Sequence, residues 1–62
     1  MSWYEVQGRR MAPDRVRLAS TENREAAFKA ASEMAADGFT VWVFQVDRKS
    51  GRTSYRLLTR TT

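Results

Sequence analysis

The sequence predicts an α+β domain: a four-stranded antiparallel sheet in the order β-β-α-β-β, with one helix packed on one face. Three observations carry this. Four segments are rich in β-branched and aromatic residues. One Ala-rich segment between the second and third has helix-start and helix-stop residues at its ends. Turn-forming residues separate the first segment from the second and the third from the fourth, which makes two hairpins. A sheet with one helix across it is the simplest packing of these parts.

Taken in order, "SWYEVQ" reads as a strand over residues 2–8, and "MAPDR", with Pro13, as a turn. "RVRLAS", residues 15–20, alternates cleanly: Arg15 and Arg17 on one side, Val16 and Leu18 on the other. The helix is "STENREAAFKAASEMAADG". Ser20 and Thr21 are its N-cap candidates, and Glu22 and Glu25 suit the positive end of the helix dipole. Ala27, Ala31 and Met34 form its apolar stripe, flanked by Phe28, Ala30 and Ala35, and Gly38 provides a left-handed stop. "FTVWVFQVDR" and "RTSYRLLTRT" then flank "KSG", a hairpin signal.

Period-two alternation assigns faces. The helix side is expected to take Tyr4, Val6, Val16, Leu18, Phe39, Val41, Val43, Tyr55 and Leu57. The opposite side is expected to take Trp3, Glu5, Gln7, Arg15, Arg17, Trp42, Phe44, Val46, Arg52, Arg56, Leu58 and Arg60. Gly8 and Gly51 are the positions where a bulge would shift this register. Arg9, Arg10, Arg48, Lys49 and Arg52 are expected in turns, with Asp14 and Asp47 as turn formers.

At 62 residues the chain makes one small domain. A domain of that length buries only about 60% of the surface its unfolded chain exposes, so it needs good packing or a partner. It has no Cys and no His, which excludes disulfides and thiolate metal sites and removes the commonest general base. No run approaches the ~20 apolar residues of a membrane span. The first ten residues lack a basic stretch followed by an apolar one, so no signal peptide and no membrane association are expected, and the expected location is cytoplasmic.

Eleven Lys and Arg stand against seven Asp and Glu, a net charge of +4, and nine of the eleven cations are Arg. Arg suits forked contacts with phosphate and stacking on aromatic rings. The face opposite the helix therefore reads as Trp42 and Phe44 set among Arg15, Arg17, Arg52, Arg56 and Arg60, with Arg48 and Lys49 at a basic hairpin tip. That combination points to nucleic acid, bases on the aromatics and phosphates on the arginines. The same apolar patch is also what a homodimer would bury, and it is the surface on which a host protein would dock. No enzyme is expected, and no cofactor or metal: Glu5, Asp14, Asp37 and Asp47 are scattered, Glu22, Glu25 and Glu33 lie on a helix, and no nucleotide-binding loop, zinc motif or nucleophile elbow is present.

Two resemblances accompany this reading. "TENREAAFKAASEMAADGFTVWVFQV" resembles a hairpin–helix–strand pattern of small accessory proteins of bacteria and their phages, mostly of unknown function, which implies a factor of a phage or mobile element that binds and modulates a host protein. "WYEVQ", "AAFKAASEMAADGFTVWV" and "SGRTSYRLL" are similar to parts of the SPOR domain, which binds septal peptidoglycan. That domain continues into a second helix and strand that have no counterpart here, so the leading expectation is a small non-enzymatic protein, homodimeric, that binds nucleic acid.

Overall fold

The computed structural model describes residues 1–11 and 15–61, for Arg15 the backbone alone. The turn expected at Pro13 and Asp14, and the face expected for the Arg15 side chain, lie outside the described residues. Strand β1 is Ser2–Arg10, β2 Arg15–Thr21, helix α1 Arg24–Ala36, β3 Thr40–Lys49 and β4 Arg52–Thr61. All pairings are antiparallel, in the order β2-β1-β3-β4. The predicted fold class is therefore the observed one.

The helix starts two to three residues later than its candidates, Thr21 and Ser20. Ser20 and Thr21 belong to β2, and the N-cap is Asn23, whose Oδ1 accepts the Ala26 N–H at 3.1 Å. Thr21 still contributes: its Oγ1 accepts the Asn23 N–H at 3.1 Å and holds the cap in place. Glu25 lies in the first turn, whereas Glu22 precedes the helix. At the other end Gly38, at φ 89°, takes the left-handed conformation that a side chain disfavours. The Phe39 N–H then reaches the Met34 carbonyl at 3.1 Å and the Gly38 N–H the Ala35 carbonyl at 3.0 Å. These two bonds are the Schellman closure, and they turn Phe39 back onto Met34.

The core lies between α1 and the two central strands. Val6, Ala27, Ala31, Met34, Phe39, Val41 and Val43 are buried together, with Tyr4, Ala19, Phe28, Ala30, Ala35 and Leu58 packed around them. Each fully buried Val contributes about 1.5–3 kcal/mol relative to exposure. The helix rests mainly on β1, β2 and β3, and β4 adds Leu58 to the core's margin.

Gly8 hosts no bulge. It pairs regularly with Arg17 and Val41 and is buried beneath the end of α1. A Cβ there would meet Met34 Sδ at 3.0 Å and Phe39 at 3.3 Å, so glycine lets helix and strand approach. Gly8→Ala is expected to cost about 1–2 kcal/mol through overpacking, seen as a lower urea midpoint with an unchanged slope.

Candidate functional site

The sheet has a second face that no element among the described residues covers, and the register defines it. Leu18, Gln7, Trp42 and Arg60 form one row across the four strands. Ser20, Glu5, Phe44 and Leu57 form the next, and Trp3, Val46 and Tyr55 the one beyond. Val16 stands at the near end, opposite Arg9. Trp3, Glu5, Gln7, Trp42, Phe44, Val46 and Arg60 are where the alternation places them.

Four apolar residues expected in the core are on this open face instead. Val16 is 59% exposed, Leu18 68%, Tyr55 58% and Leu57 52%. In β2, Val6 pairs with Ala19, so Ala19 faces the helix and its neighbours Leu18 and Ser20 face away. Small Ala19 permits α1 to lie over this edge. In β4 the reason is the turn. Ser50 and Gly51, at φ 53° and 77°, form a two-residue turn with both central residues left-handed, and Lys49 pairs directly with Arg52. That pairing puts Tyr55 opposite Val46 and Leu57 opposite Phe44.

A bulge then reverses the parity. The register shifts between Val43 and Phe44, whose partners are Thr59 and Leu57, so Leu58 is the extra residue. Leu58 packs on the core, not on the open face as the alternation implied. Beyond the bulge Arg60 returns to the open side, its guanidinium 5.7 Å from the Trp42 ring centroid.

The open face is thus more apolar and less cationic than expected. Phe44 and Tyr55 meet edge to face at 6.3 Å, and Val46 between Trp3 and Tyr55 is fully buried without belonging to the helix-side core. The face's carboxylate, Glu5, accepts Trp3 Nε1–H at 3.1 Å. Its cations stand toward the ends: Arg9 and Arg60 near Trp42, and Arg48 beyond Val46 in the same strand.

Arg10 and Arg17 belong to the helix side. Arg17 pairs with Gly8 and reaches Asp37, with Nη1 3.1 Å from Oδ2. Its guanidinium also lies 4.8 Å from the Phe39 ring centroid, and Arg10 lies 4.7 Å from the same ring. Arg10 Nη1 donates to the Asp37 carbonyl at 2.8 Å. Both cations thus sit at the carbonyl end of α1, where positive charge is favourable. Arg17 serves the fold here, whereas the alternation had placed it among the aromatics.

Arg52 and Arg56 also face away from Trp42, because they pair with Lys49 and Gln45. Arg9 and Arg10 are in β1, Asp47, Arg48 and Lys49 in β3, and Arg52 in β4, rather than in turns. Arg48, Lys49, Arg52 and Arg56 are all exposed. Like charges directly across a ladder are unfavourable, and Lys49 and Arg52 are such a pair. Asp47, opposite Ser54, is the neighbouring carboxylate. Among the described residues no ion pair involves any of these four cations.

Two surfaces with distinct chemistry result: an apolar, aromatic sheet face, and a cationic β3–β4 hairpin end. Among the described residues no group of three acidic, His or Cys side chains could hold a metal ion, and no helix is long and apolar enough to cross a membrane. Comparisons with protein-family models, curated proteins and solved structures found no match.

Proposed function

We propose that this is a small non-enzymatic binding protein that contacts nucleic-acid phosphates through the β3–β4 hairpin. The observation that carries this reading is Lys49 facing Arg52 across the hairpin, with Arg56 further along the same side of β4 and Arg48 on the other side of β3, none of them in an ion pair among the described residues. Holding Lys49 against Arg52 raises the energy of the free protein, and a polyanion laid along the hairpin relieves that repulsion. The chain's net charge of +4 adds to attraction at longer range. Exposed lysine and arginine at a hairpin end suit phosphate contacts that position a backbone.

Salt dependence tests the reading. Fluorescence anisotropy of labelled duplex and single-stranded oligonucleotides, measured over a salt series, is expected to show affinity falling linearly on logarithmic axes. The slope on duplex should lie near −2 to −3, about −0.9 for each of Lys49, Arg52 and Arg56 that takes a phosphate. No binding at low salt, or a slope near zero, would overturn it.

A further inference from the structure

We propose that the open sheet face binds a second copy of this chain, face to face. On this face Trp3, Trp42, Phe44, Val46, Tyr55, Leu57 and Leu18 surround Glu5 and Gln7 of the central strand β1, with Glu5 held by Trp3 Nε1–H, and the cations Arg9, Arg48 and Arg60 stand toward its ends. Leu18, Tyr55 and Leu57 are more than half exposed on it, which is unusual for side chains of this kind gathered in one patch of a lone small domain.

Its size fits a second copy. The two longer dimensions of the molecule, 39 and 22 Å, bound a face of roughly 800 Å², about one partner's share of a standard interface. Two identical sheets meeting across a two-fold axis would match each other in extent and apolar character, at the ~10 Å spacing of packed sheets. Such a pair gives each protomer a second apolar layer over the face that its own described elements leave open.

Joining through the β4 edge is the weaker geometry. On β4 the bulge at Leu58 and the charges of Arg52, Arg56 and Arg60 are devices that guard an edge. Nucleic acid also fits the face less well than a second copy does, because Arg17, Arg52 and Arg56 turn away from the aromatics. Face-to-face packing leaves the helix sides of both protomers outward, with Lys49, Arg52 and Arg56 accessible on each. The inference therefore does not depend on the hairpin's role.

Light scattering and sedimentation equilibrium from low to high micromolar concentration provide the test. The wild-type chain is expected to pass from 7.2 kDa to twice that mass, with Trp fluorescence shifting to the blue. Leu18→Arg and Leu57→Arg place charge on positions already exposed in the protomer, so circular dichroism should keep its folded signature. Each should weaken self-association by roughly a hundredfold, the size of effect seen at interface hot spots. Ser32→Arg, on the exposed side of α1, should leave it unchanged. A wild-type mass of one chain at every concentration would overturn the proposal, and so would arginine variants that associate like wild type. A monomer whose Trp emission is quenched by oligonucleotide would assign the face to nucleic acid and refute it as well. Loss of salt-dependent nucleic-acid binding with the dimer intact would refute only the hairpin reading.

Discussion

Phe39→Ala is expected to remove about half or more of the chain's folding stability. The ring is buried against Met34 and Gly8, and the guanidinium groups of Arg10 and Arg17 lie 4.7 and 4.8 Å from its centroid. It is also the residue that the helix-ending bonds return to the core. Truncating a buried Phe costs about 3–5 kcal/mol. At ~0.05–0.15 kcal/mol per residue, a chain of this length has a total stability of about 3–9 kcal/mol. Loss of the ring also leaves two cations without the π face they lie beside. Thermal and urea unfolding followed by circular dichroism, at one fixed protein concentration, measure the effect. A variant that unfolds cooperatively within about 1 kcal/mol of wild type would show that Phe39 does not hold helix and sheet together.

The double variant Lys49→Ala/Arg52→Ala is expected to retain the fold and lose nucleic-acid affinity. Both side chains are exposed and oppose each other across the ladder, so removing two like charges is neutral or mildly stabilising. If each takes one phosphate, the logarithmic salt slope on duplex falls by about two, and affinity near 0.1 M salt falls roughly fiftyfold. Arg17→Ala is the informative comparison, because Arg17 is engaged with Asp37 and Phe39. It should change stability more than the salt slope. Equal losses of affinity from both variants, with equal changes in slope, would mean diffuse charge and not the hairpin governs binding.

Much of the fold was legible from residue types. The Ala-rich helix, its acidic first turn, the Gly38 stop and the strand-rich flanks appear where their chemistry predicts. The central strands were also legible by face, since Val6, Val41 and Val43 alternate with Gln7, Trp42 and Phe44. The edge strands were not. Alternation in "RVRLAS" establishes that two sides differ, but it cannot say which side meets the helix when both faces of the sheet are apolar. The deciding residue in β2 is Ala19, whose small size makes a weak hydropathy signal and a good seat for a helix.

In β4 a usable signal was present. A two-residue turn at Ser50–Gly51 pairs Lys49 with Arg52, and counting outward from that pair sets Tyr55 beside Val46 and Leu57 beside Phe44. The same count brings Leu58 level with Val43, which is buried. The bulge after Leu57 has no such mark, because it involves no glycine and "RLLTR" is compatible with an unbroken strand. The site was legible in proportion: Trp42, Phe44 and Arg60 share a face as expected, Arg48 joins them from the strand rather than from a turn, and Arg17, Arg52 and Arg56 do not join them.

The strand order β2-β1-β3-β4 bears on how the protein is made. Each hairpin closes between neighbours in the chain, but the central ladder joins Val6 to Val43, more than half the chain away. Loop closure over that distance must precede the contacts that reward it. During synthesis the first hairpin and the helix therefore emerge before the strand that completes their core. In that interval Trp3 and Leu18 face a side that nothing covers, and Val6 packs on the helix without its β3 neighbours Val41 and Val43. The order of strands that gives the finished protein its central pair thus also sets a stage of biosynthesis at which the chain is most prone to aggregate.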